Sequence, residues 1–168
     1  MSTVVLISTR LEKALSNFLA FLMAAMVIDV LWQVISRFAL ADPSSYTEEL
    51  ARFLLMWVGL LGAAYAYRKH SHLSLDLVIK SVSPAAQIRL NRFIQCVTFT
   101  FALCVMVFGG YKLMALTLSL KQNSAALGIP MGWVYACIPI SGLFICWFAF
   151  DNFIHAGSHS ENNNNSKV

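Results

Sequence analysis

Residues 131–154 read MGWVYACIPISGLFICWFAFDNFI, and all but the last four lie in a run, Gln122 to Phe150, that contains no Asp, Glu, Lys or Arg. A helix of a soluble bundle needs a charged stripe on its outer face, and this stretch has none. It is apolar on every side, which also separates it from a barrel strand, where apolar and polar residues alternate. About 20 mostly apolar residues cover a hydrocarbon core of about 30 Å. Residues 131–154 are therefore long enough to cross a bilayer as one helix.

Outward from this segment, three more stretches have the same character: Leu15–Phe38, Glu49–Tyr67 and Gln87–Leu118. The 168-residue chain is 58% hydrophobic and 12% charged, where soluble domains average about 25% charged. The expected fold is an all-α integral membrane protein. A single four-helix transmembrane domain occupies residues 1–156, and a disordered tail over 157–168 carries Asn162–Asn165 among Ser and His. The connections are too small for a soluble catalytic domain, so no enzyme activity is expected.

The cations set the orientation. Arg68, Lys69, Lys80, Arg89 and Arg92 cluster between the second and third spans, and Arg10 and Lys13 precede the first. The first connection, Ala39–Glu48, holds Asp42 and Glu48 and no Lys or Arg. The positive-inside rule then puts both termini and the middle connection in the cytoplasm. Val4–Ile7 is too short for a signal-peptide core, so the first span reads as an uncleaved anchor. Within the middle connection, residues 72–82 fit a short interfacial helix, with Leu75, Val78, Ile79 and Val82 on one face. The four cysteines, Cys96, Cys104, Cys137 and Cys146, form no CxxC pair and read as small apolar residues.

Polar residues inside apolar spans are costly and mark partners or function. Asp29, Gln33 and Arg37 are four residues apart and form one stripe, either a polar seam within or between chains or part of a proton relay. Glu48, Glu49 and Arg52 open the second span, with Glu48 and Arg52 at the favourable i, i+4 spacing. Gly59, Gly62, Ala63 and Ala66 make a small-residue face that lets another helix approach closely, in this chain or in another. The 87–118 span is longer than a bilayer requires, so it must tilt, project or break near Gly109-Gly110. Pro139 should kink the last span.

The stretch EELARFLLMWVGLLGAAYAYRKHSHLSLDL, residues 48–77, resembles the signature region of the small membrane subunit of tripartite ATP-independent periplasmic (TRAP) transporters. GIPMGWVYACIPISG, Gly128–Gly142, resembles that family's second recurrent block and includes Pro130 and Trp133. The resemblance covers nearly the whole chain and is greatest to the sialic-acid branch. It implies a small permease subunit in a bacterial inner membrane. A periplasmic binding protein would capture an organic acid, a sialic acid or a C4-dicarboxylate, and a large multi-span subunit would move it inward on a sodium gradient. The small subunit would serve as scaffold for that elevator-type partner and help dock the binding protein. The implied partners are the large subunit, the binding protein and membrane lipid, with no nucleic acid. The chain itself would hold no cofactor, catalytic group, metal or substrate ligand. Its motif residues, with Asp29, Gln33, Arg37, Gly59, Gly62, Ala63 and Pro139, would serve structure or subunit contact.

Two other classes compete. A stand-alone four-helix exporter would use Asp29 as its membrane acid, but such proteins are shorter and have tight loops. A haem-bearing anchor of an enzyme complex needs histidines facing each other within the membrane. Here His70, His72, His155 and His159 all lie at span ends or in tails.

Overall fold

A computed structural model describes residues 3–39, 45–70 and 84–155. The expected interfacial helix over 72–82 and the tail over 157–168 lie outside the described residues. The helices are α1 (Thr3–Ala39), α2 (Ser45–His70), α3 (Pro84–Phe101), α4 (Gly110–Ser119), α5 (Met131–Tyr135) and α6 (Cys137–His155). A π-helical segment, Ala102–Gly109, joins α3 to α4, so residues 84–119 form one long rod. Four helical stretches are long and apolar enough to span a membrane: Leu6–Phe38, Ser45–Lys69, Arg92–Ser119 and Met131–Phe153. The first starts well before the expected Leu15. At about 1.5 Å per residue, a 37-residue α1 exceeds a bilayer core and must tilt or project.

α6 is the centre of the packing. It lies against α2 on one side and against α3 and the π segment on the other, while α1 packs mainly on α2. In the Met131–Phe153 span 44% of the apolar stretch is buried, against 17% in each of the other three spans. Every buried position described in α1 falls on one line seven residues apart: Ser8, Leu15, Leu22, Asp29 and Ser36. A seven-residue repeat is the period of a left-handed helix seam. Leu15 and Leu22 meet Leu61 and Ala64 of α2 and Phe148 of α6 in the core. Phe18 adds an edge-to-face contact with Trp57, ring centres 6.4 Å apart.

Lipid tails are as apolar as leucine, so helices in a bilayer associate through close packing rather than expulsion of water. Three glycines permit that closeness. A Cβ on Gly110 would sit 2.9 Å from Pro139 Cδ, and one on Gly142 would sit 2.7 Å from Met106 Cβ. A Cβ on Gly132 would collide with Leu118. One of these contacts, at Met106, lies within the π segment and another, at Gly110, directly follows it, so its wide turn lies against α6. The rod does not break at Gly109-Gly110; it carries on as α4.

The last span does break, but at Ala136, three residues before Pro139. The proline ring clashes with the carbonyl of the residue four positions earlier, Tyr135. The irregularity therefore falls one turn upstream of the proline and leaves α5 as a separate short helix.

Candidate functional site

The polar groups gather at the two ends of the bundle. At the end where α2 begins, Glu48 and Glu49 are neighbours in sequence but about 100° apart around a helix. Glu48 pairs with Arg52 at 2.5 Å across one turn, and both side chains are largely exposed, 60% and 71%. Glu49 reaches across to the loop between α4 and α5. There its carboxylate accepts three successive backbone N–H bonds, from Ala125 (3.2 Å), Ala126 (2.8 Å) and Leu127 (3.0 Å).

The loop is built to present those donors. α4 ends in a Schellman motif, with Lys121 N–H bonded to Leu118 O at 3.1 Å and Gln122 N–H to Thr117 O at 3.1 Å. Lys121 takes the left-handed conformation that this motif requires, with φ at 48°. Ser124 N–H to Ile129 O (2.9 Å) and Met131 N–H to Gln122 O (2.8 Å) then close the loop at its neck. Buried Ser124 caps the inner turn through its hydroxyl, which accepts from Leu127 N–H at 3.2 Å. Gly128, with φ at 66°, makes the exit that a side chain would strain. Consecutive N–H groups turned to one side form an anion-binding concavity, and Glu49 fills it. One carboxylate thus ties the start of the 48–77 block to the loop just ahead of the Gly128–Gly142 block. In Glu49→Ala, amide exchange at Ala125, Ala126 and Leu127 is expected to accelerate, while Glu48→Ala leaves it unchanged. Equal exchange in the two variants would refute the lock.

At the opposite, basic end, Arg68 links three helices. Its guanidinium meets Asp151 Oδ2 of α6 at 2.7 Å and Glu12 Oε2 of α1 at 3.5 Å, and donates to Asn152 Oδ1 at 3.3 Å. It also stacks over the Phe148 ring, 5.5 Å from the ring centre. Lys69 completes the cluster at 2.6 Å from Glu12 Oε1. The Arg68 and Asp151 side chains are only 12% and 4% exposed, so this network is mostly withdrawn from solvent. Nearby, the Tyr67 hydroxyl donates to Gln95, and Trp147 Nε1 donates to Ser8 Oγ at 3.1 Å.

Sequence reading counted Arg68 among the cations of the middle connection and passed over Glu12, Asp151 and Gln95. The one available signal was position. Arg68 follows the buried residues Leu61 and Ala64 by seven and four on the same helix face, so it had to point inward.

The Asp29, Gln33 and Arg37 stripe is not drawn together. Asp29 is buried, Gln33 half-buried and Arg37 exposed. Asp29 Oδ2 has no hydrogen-bond partner among the described residues. The small-residue face of α2 is open as well. Gly59 and Ala63 are exposed, and a Cβ on Gly59 or Gly62 would meet nothing within 4 Å. Among the described residues, nothing packs closely on either glycine. Pro130 and Trp133 are exposed at the loop exit, and Pro139 packs against Gly110. Cys96 and Cys104 are exposed, whereas Cys137 and Cys146 are buried.

Four apolar helices joined by such end networks define a multi-pass helical membrane protein. Residues 25–157 match the family model for the DctQ component of tripartite ATP-independent periplasmic transporters, and the chain belongs to that family. It is similar to the sialic acid TRAP transporter small permease protein SiaQ of Vibrio cholerae, 30% identical over 129 residues, covering 74% of this chain and 70% of the relative. A putative TRAP transporter small permease protein of Haemophilus influenzae is 27% identical over 135 residues, 80% of this chain and 82% of the relative. The sialic acid TRAP transporter permease protein SiaT of Haemophilus influenzae is 26% identical over 113 residues, 67% of this chain but 18% of the relative. Small permease proteins named for ectoine and for C4-dicarboxylates also match. These relatives are transporter subunits rather than enzymes.

Proposed function

We propose that this chain is the non-moving scaffold of a sodium-coupled TRAP transporter for an organic acid in a bacterial inner membrane. The basic end faces the cytoplasm, as the concentration of Arg and Lys there favours. The Glu49-locked loop faces the periplasm and helps present the docking surface for a substrate-binding protein. Sialic acid is the first substrate to test, because two of the relatives are named for it. Sodium and substrate ligands belong to the large subunit, and Asp29 is a seam residue.

The observation that carries this reading is the match to SiaT, in which a region like this chain makes up only 18% of a much longer permease. Such a region is expected to pack against the remainder. The open face of α2 suits that contact: Glu48 and Arg52 stand at one end, and Gly59, Gly62, Ala63 and Ala66 follow along the same side of the helix. Small residues on an open face let a second helix come close.

The decisive experiment is uptake of labelled sialic acid into proteoliposomes under a sodium gradient, with this chain, its large subunit and the periplasmic binding protein added in all combinations. Uptake is expected only when all three are present, and replacing sialic acid by a dicarboxylate tests the substrate. Uptake by this chain alone would overturn the scaffold reading and support the exporter, with Asp29 as coupling acid.

A further inference from the structure

We propose that the π segment is a register insert: the one residue it absorbs turns α4 by about 100°, so that Gly110, Thr117 and the loop beyond them face the bundle. The spacing of buried residues carries the inference. Along the rod the described buried positions are Gln95, Ala102, Gly110 and Thr117. The steps between them are seven, eight and seven residues, and the step of eight falls across Ala102–Gly109, the π segment itself. Seven residues bring an α-helix back to nearly the same face, about 20° short, whereas eight overshoot it by about 80°. A π turn closes from residue i to i+5 and so takes up one residue more than an α turn. Holding that residue in the wide turn returns Gly110 to the line of Gln95 and Ala102. By Gly110 the α pattern has resumed, its N–H bonded to Met106 O four residues back.

Helix α1 supplies the comparison. Its described buried line, Ser8 to Ser36, keeps seven-residue steps throughout, and α1 has no π segment. The rod must stay in line because both of its halves are fixed to neighbours. In α3, Gln95 accepts from Tyr67 of α2. In α4, a Cβ on Gly110 would lie 2.8 Å from Ile138 Cγ2, and Leu118 lies against Gly132. Thr117 O and Leu118 O accept the bonds that open the loop locked by Glu49. Without the insert these groups would swing about 100° away from α6 and α5, and the loop would leave Glu49. π segments also occur at ligand sites, but the side of this one that meets α6 is filled. A Cβ on Gly142 would already meet Met106 Cβ at 2.7 Å and Val107 Cγ2 at 3.0 Å.

One-residue deletions and insertions in the full chain, purified in detergent, test the proposal. Deleting Val105, which lies in the π segment, leaves the buried positions seven apart throughout, so the segment should close as ordinary α-helix. The thermal midpoint is expected to stay within about 3 °C of the wild type, with amide exchange at Ala125, Ala126 and Leu127 unchanged. Inserting one alanine after Val105 makes the step nine. The midpoint should then fall by at least about 8 °C, and exchange at the three amides should accelerate at least about tenfold. Deleting Val27 of α1 should also lower the midpoint, because it shortens a step of seven with no insert beside it. Val27 and Val105 are 55% and 53% exposed, so the two deletions remove like side chains. Val105→Ala, which keeps the register, should match the wild type. The proposal would be overturned if deleting Val105 cost as much stability as the insertion, or prevented folding while Val105→Ala folded normally. A wild-type midpoint for the insertion or for the Val27 deletion would overturn it as well, since register would then not matter to the bundle.

Discussion

Arg68→Gln is expected to destabilise the bundle by about 3–5 kcal/mol, the usual result of removing one partner from a buried ion pair. Asp151, 4% exposed, would lose the guanidinium, and the tie between α1, α2 and α6 would be cut at its common point. Glu12 would keep Lys69, so the loss falls mainly on α6. Thermal unfolding of the purified chain in detergent measures the effect. Arg68→Lys should keep part of the stability, because the charge remains but the fork of donors is lost. The double variant Arg68→Gln/Asp151→Asn should be more stable than Arg68→Gln, since it also removes the buried carboxylate charge. If Arg68→Gln melted with the wild type, the network would contribute nothing to the fold.

The second large effect separates two kinds of glycine. Gly132→Leu should disrupt the bundle by at least about 1–3 kcal/mol, the usual cost of overpacking. Its side chain would be driven into Leu118, and its Cβ would lie 3.1 Å from the Met114 carbonyl. The double variant Gly59→Leu/Gly62→Leu should leave the melting point of the isolated chain unchanged or slightly raised. Among the described residues nothing lies within 4 Å of either added Cβ, and glycine is a poor helix former. Yet that double variant should fail to co-purify with the large subunit, because the close approach along α2 would be blocked. Full complex yield from Gly59→Leu/Gly62→Leu would mean that this face looks onto lipid. An unaltered melting point for Gly132→Leu would refute the close approach of α4 and α5.

Much of the architecture was legible in one dimension because a bilayer imposes a simple rule: a span must be apolar for about 20 residues and must satisfy its backbone internally. That rule located all four helices, and misjudged mainly how far α1 runs beyond the apolar core. Pro139 foretold an irregularity in the last span, and the structure puts it at Ala136, because the clash acts on the residue four positions earlier. The reading of the second span took Glu48, Glu49 and Arg52 as a single cluster. Glu48 and Arg52 do pair across one turn, but Glu49 points to a loop some 75 residues away in sequence, which local spacing could not reveal. Tyr67 likewise finds its partner, Gln95 of α3, only across the bundle.

The sequence alone therefore determined what depends on each segment's own chemistry: the number of spans, their helical character, the basic end and the family. Only the tertiary structure decided which faces turn inward. It made α6 the central helix, turned Gly110, Gly132 and Gly142 into contacts, and left Gly59 and Gly62 uncovered. It also made Arg68 a junction rather than one more surface cation. In a membrane protein both faces of a helix are apolar, one toward lipid and one toward protein, so hydrophobicity does not distinguish them. The distinction comes from shape and from polar groups that find partners only once distant helices are side by side.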